Sequence, residues 1–239
     1  MDEAPTIPAH WGGDTLASFL DACTSNTYSI FQNRHEWYAR LSSVDDTYHL
    51  LLENIESDPE LYGGLFALRC HSAFLGACRL ALSGQVPETY MLLRGCLEAA
   101  LYGLYIAKNP RLRHTWIDRH KNDRCRKAVR SEFTISKLKQ CLADVDRDVH
   151  DRVCQYYSYT IDLGAHPNIM SVEAHINDEA EAGPLTLYYL HPLSDVLLAT
   201  FKVCAVTGIT GLDVLRYVFP DAYSKLNLES RLRKLKKGL

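Results

Sequence analysis

Arg94 and Glu98 stand four residues apart within PETYMLLRGCLEAALYGLYIAKNP (87–110), a stretch that is apolar on nearly every face. In a helix this spacing puts guanidinium and carboxylate on one side, and Tyr90 and Tyr102 extend the stripe by one turn each way. A charged pair on a rod that must be buried needs partners inside the protein. Two roles suit it. As structure, it is an ion pair tying neighbouring helices together, with the tyrosine hydroxyls on carbonyls. As a site, Arg94 holds an anion while Glu98 orients a base, for which His71 and His166 are the candidates. Arginine before glutamate is the weaker i,i+4 order, which points the pair's main partners to other helices. His166 lies between Gly164, a plausible helix C-cap, and Pro167, so it either caps helix carbonyls or serves the site. Tyr157, in a run rich in aromatic and hydroxyl groups, joins Tyr102 as a wall for a bound ligand.

Metal and cofactor chemistry have little to build on. A di-iron bundle needs Glu-x-x-His pairs and none occurs; His35-Glu36 lacks the second histidine of a zinc motif because Ala39 holds its place. The eight cysteines include no Cys-x-x-Cys, and phosphate loops, dinucleotide fingerprints and Gly-x-Ser-x-Gly elbows are absent. No metal and no cofactor is expected.

The elements that must position these residues read as helices. At 239 residues, 47% hydrophobic and 23% charged, the chain suits one globular domain over 1–239. Residues 1–12 read as an irregular arm. A helix capped at Asp14 or Thr15 runs to about Leu41 with a break near 24–26, and Ser43 starts the next, with Asp45 and Asp46 facing water. Asp58-Pro59-Glu60 opens a helix rich in small residues that ends at Ser83-Gly84, and with the Pro87 helix it forms a central antiparallel hairpin. Shorter helices follow Pro110, then Thr134 or Ser136, then Asp144 or Asp146, the last ending at Gly164. Alternation at Met170, Val172, Ala174 and Ile176, then at Leu185, Leu187 and Tyr189, reads as a small β-hairpin near residues 170–190. Pro192 opens a long buried helix with a bend at Gly208 and Gly211. The expected architecture is all-α, a multi-helix bundle with that one hairpin.

Arg113 and His120 flank six residues on the helix after Pro110. This resembles the Arg-x4-6-His motif of the HEPN superfamily, helical bundles that include metal-independent ribonucleases as well as inactive binding or scaffold proteins. The resemblance implies that Arg113 stabilises phosphate charge and His120 acts as acid or base in cleavage through the RNA 2′-hydroxyl. More broadly, residues 61–220 look like uncharacterised bacterial all-helical families, some thought to be HEPN-like, in the Leu-Leu-Arg-x-x-Leu-Glu run (92–98) and Gly-Ala-His-Pro (164–167). Two functions stand: a non-catalytic interaction or small-ligand-binding protein, dimeric through small-residue or aromatic surfaces, or a HEPN-like ribonuclease or toxin.

The formal charge of −3 argues against a nucleic-acid-coating protein. The basic residues between Lys225 and Lys237, in the segment 225–239, either face solvent or meet RNA or an acidic partner. The N-terminal stretch has no basic and apolar leader pattern, so cytoplasm is the default, and no membrane span is expected.

Overall fold

The helix α4 (Val86–Lys108) carries the seam, with Pro87 in its first turn and Lys108 in its last. Proline suits an N-terminal turn because the missing N–H would have no intrahelical partner, and lysine complements the carbonyl end. A computed structural model describes residues 7–55, 61–167, 169–177, 186–187 and 189–239. α3 (Leu61–Ser83) runs antiparallel to α4 and packs along it, forming the expected hairpin. The chain reverses at Gly84, whose φ of +91° favours glycine, and the Gly84 carbonyl accepts from His191 N at 2.8 Å. The proposed start of α3 at Asp58-Pro59-Glu60 lies outside the described residues. Leu65, Leu68 and Leu75 remain exposed along the outer side of α3.

Against this pair lies α10 (Asp195–Leu215), capped by the Ser194 hydroxyl on Leu197 N. It passes Gly208 and Gly211 unbroken, so the expected bend is absent. Those glycines serve close approach. A Cβ on Gly208 would stand 2.6 Å from the Phe74 ring, and one on Gly211 would stand 2.5 Å from the Tyr48 hydroxyl. Tyr48 is fully buried and donates to Gly208 O at 2.9 Å, with Cys70 Sγ at 3.2 Å. α3 and α10 are also long and apolar enough to cross a membrane, yet 50% and 67% of their apolar windows are buried within the fold.

α1 (Thr15–Asn33) is capped by Asp14 and joins α2 (His35–Leu52) at Arg34. The break falls there and not at 24–26 or 42; Thr24 and Thr27 sit within a continuous helix, their hydroxyls bonded back to Leu20 O and Cys23 O. α5 (Leu112–Ile117) tightens into a 3-10 turn, Asp118–His120. α6 (Asp123–Glu132) buries Val129, α7 (Ile135–Ala143) is capped by Thr134, and α8 (Arg147–Thr160) by Asp146. α8 then widens into a π-helical turn, Ile161–Ala165.

The β-hairpin near 170–190 is not supported. Ile169–Glu173 closes as a short helix, α9, with Ala174 N on Met170 O at 3.1 Å. Met170 and Val172 are exposed, so the alternation marks no buried face. A two-residue pairing of Ile176–Asn177 with Thr186–Leu187 is all that the described residues hold there, and 178–185 lie outside them.

α11 (Pro220–Lys225) and α12 (Leu228–Leu235) close the bundle. Part of the basic C-terminal charge is used internally. Lys236 and Arg152 both pair with Asp213, a buried carboxylate of α10, at 2.8 Å, and Arg231 donates to Thr47 Oγ1. Arg233 and Lys234 face solvent.

Replacing Gly208 by alanine is expected to cost about 1–3 kcal/mol through overpacking against Phe74, read from the urea midpoint. Asp146 caps α8 and accepts from Arg216 Nη2 and the Tyr217 hydroxyl. Burial pushes its carboxyl pKa up, but these donors together hold it below the ordinary 3.8. Its folded pKa is therefore depressed, so its contribution is present above the ordinary carboxylate range and lost as pH falls through the folded value. Asp146→Asn should destabilise by about 1–3 kcal/mol at neutral pH and differ progressively less from wild type in acid, measured by urea unfolding across pH.

Candidate functional site

The seam on α4 gathers residues from α8 and the turn beyond it. Arg94 Nε donates to Glu98 Oε1 at 2.8 Å, and the Tyr157 hydroxyl donates to the same oxygen at 2.8 Å. Arg94 Nη1 meets His166 Nε2 at 3.1 Å. Because arginine only donates, that imidazole nitrogen accepts, and the proton of the neutral ring sits on Nδ1. The Arg94 guanidinium lies 5.3 Å from the Tyr157 ring centre, and Lys139 Nζ from α7 lies 4.0 Å from it. One carboxylate therefore fixes one arginine, and that arginine fixes one histidine.

The seam is half-buried. The side chains of Arg94 and Glu98 are 28% and 36% exposed, so the pair is neither sealed in the core nor loose in solvent. Its electrostatics follow from that position. Burial pushes the Tyr157 phenol up to about 12, helped by its hydrogen bond to Glu98 and by the charge there. The hydrogen bond to Glu98 raises Arg94 above its ordinary value, so the guanidinium stays charged. The Arg94 charge in turn holds the tyrosine down, but less than burial lifts it.

His166 reaches Arg94 because α8 does not end as an α-helix. The five residues Ile161–Ala165 form a π-helical turn, a feature common at functional sites. Gly164 in that turn packs against the start of α4, where a Cβ would overlap the Pro87 carbonyl oxygen and come within 2.9 Å of Tyr90 Cβ. Only glycine allows this approach. Beyond it, the His166 carbonyl accepts from Ser171 Oγ at 3.0 Å.

Of the residues singled out from the sequence, Arg94, Glu98, Tyr157 and His166 come together. Tyr102 does not join the hydrogen bonds: it stacks between Phe66 and Phe133 and donates to Phe133 O at 3.4 Å. Burial and then the nearby Glu98 charge raise its phenol pKa. His71 is placed elsewhere, on Asp45 of α2 at 2.6 Å, so it orients nothing for Glu98. Asp45, expected to face water, is half-buried by that contact. Arg113 lies 5.0 Å over the Tyr62 ring, while His120 is exposed at the end of the 3-10 turn. Lys139 escaped notice because a single lysine on a short helix carries no pattern, whereas Asp45 and His49 show an i,i+4 spacing that was open to reading.

Chemically, the cluster offers an oriented guanidinium beside an imidazole, with one carboxylate already engaged and an ammonium over the ring of Tyr157. That set can hold an oxyanion and can move a proton at His166. Comparisons with protein-family models, characterised proteins and solved structures bring no match.

Gly164→Ala should therefore reach both stability and site. The expected outcome is a loss of about 1–3 kcal/mol or more, with faster amide hydrogen exchange confined to the 161–165 turn and the start of α4.

Proposed function

We propose that this protein is a non-catalytic binder of a small anionic ligand, seated at Arg94 with His166 and Lys139 beside it. The observation that supports this reading is how the Arg94 guanidinium is committed. Nε serves Glu98, Nη1 serves His166 and the Tyr157 side chain braces the guanidinium as well, on a side chain that solvent reaches. An arginine already oriented by two neighbours loses little conformational freedom on binding. A phosphate or carboxylate oxygen is the natural complement of its remaining donors.

Inorganic phosphate and a ribonucleoside monophosphate are suitable probes in calorimetric titration. Arg94→Ala is expected to weaken binding at least tenfold. Arg94→Lys should recover only part of it, because the planar fork is lost. Undiminished binding in Arg94→Ala, or no binding of either probe to wild type, rejects the reading.

A second reading rests on the 3.1 Å apposition of Arg94 and His166. A cation beside an imidazole is the minimum for metal-independent RNA cleavage, an activity that resemblance to HEPN ribonucleases implies for Arg113 and His120. In this reading the working pair is Arg94 and His166, with Arg113 and His120 at most supporting RNA contacts. Single-stranded RNA incubated with purified protein in a chelator tests it: His166→Ala abolishes cleavage while His120→Ala leaves it intact. Equal background from wild type and His166→Ala ends this reading and leaves the binding reading to its own test.

A further inference from the structure

Away from the seam, α2 and α3 bring three ligating side chains together. Asp45 and His49 share one face of α2 at i and i+4, and His71 comes from α3. Asp45 Oδ1 sits between the imidazoles, 2.6 Å from His71 Nε2 and 3.6 Å from His49 Nε2, and one ligand atom from each residue lies within 4.8 Å of the other two. We propose that Asp45, His49 and His71 form a binding site for a divalent transition-metal ion of the zinc class.

The donor set fits that class. Two imidazoles and one carboxylate suit zinc and its neighbours, and three protein ligands leave a position open. The separations are close to those required: with bonds of about 2.0–2.1 Å, tetrahedral donors stand about 3.3 Å apart. The Asp45–His71 distance must open by about 0.7 Å, which follows when an ion replaces the bridging proton. The ring proton of His71 then resides on Nδ1, so the neutral imidazole changes tautomer and no charge is created on it. Adjustment falls to His49, whose side chain is 58% exposed and can swing.

His71 is the fixed member. Its side chain is 4% exposed, its ring stacks on the fully buried Tyr48 at 4.9 Å and 7°, and the His49 ring meets its face edge-on at 4.8 Å. A ligand locked in place by packing is preorganised. Solvent reaches the site at His49, and Asp45 also borders a groove of about 290 Å3 between α1, α2 and α3, walled by Tyr38, Leu41, Phe74 and Cys78.

The alternative is that Asp45 and His71 form a hydrogen-bonded pair and nothing more. Titration of the full-length protein under reducing conditions with Zn2+, followed calorimetrically, and with Co2+, followed by absorbance, separates the two. Wild type is expected to bind one equivalent. His49→Ala, at an exposed position that keeps the fold, should weaken binding at least tenfold, and the near-isosteric Asp45→Asn should do the same, with thermal melts confirming that both variants are folded. The cobalt spectrum should lack thiolate charge-transfer bands. Absence of binding, affinity unchanged in both variants, or a thiolate spectrum assigning the ion to cysteines each overturns the proposal. The seam around Arg94 shares no residue with this site, so neither result depends on the other.

Discussion

Tyr48 stands where four helices meet, and its hydroxyl is a polar group with no access to water. It is satisfied by the Gly208 carbonyl at 2.9 Å, with Cys70 and Cys96 at its other side. Such a buried donor costs little only if its acceptor is held in place. The acceptor is held because Gly208 and Gly211 let α10 lie flush against Phe74 and Tyr48. The spacing of α2, α3, α4 and α10 is therefore set by one phenol and two missing side chains. Both candidate sites hang from this frame, the Arg94 seam on the side of α4 that meets α8 and the Asp45 cluster on the side of α3 that meets α2.

The two sites differ in how their polar groups are kept. At the seam, Arg94 and Glu98 neutralise each other within α4, Tyr157 and His166 brace them from α8 and the turn beyond it, and solvent still reaches the guanidinium. At the Asp45 cluster, packing does most of the work: an imidazole is clamped against an aromatic ring, with the Asp45 carboxylate on its Nε2. The first arrangement suits reversible contact with an anion. The second suits a partner that can share the carboxylate with the ring.

Much of the architecture was legible in the residues. Pro87, Ser83-Gly84 and the small residues of α3 mark two helices joined by a tight reversal, and of the paired candidates for two later starts the structure keeps Thr134 and Asp146. The seam was readable because Arg94 and Glu98 are charges in a run where apolar residues surround them. What failed did so for identifiable reasons. Alternation at 170–176 reads like a strand, but a period of two over seven residues does not distinguish a strand from a turn of helix whose apolar groups face water. Gly208 and Gly211 looked like a bend because glycine is weak in helices, whereas here absence of volume is what the packing needs. His71 and His166 stand as equal candidates beside Glu98 because helical phase on an apolar, small-residue helix leaves the inward direction of His71 open; only the three-dimensional arrangement shows it turning to Asp45.

The π-helical turn at Ile161–Ala165 can be viewed as an α-helix holding one surplus residue. That surplus sets the phase of all that follows: were the same residues wound as an ordinary α-helix, His166 would be carried about 100° further round the axis and about 1.5 Å further along it. The histidine would leave Arg94 while every residue of α8 kept its place. The widened winding of this short segment thus decides where on the seam the imidazole stands.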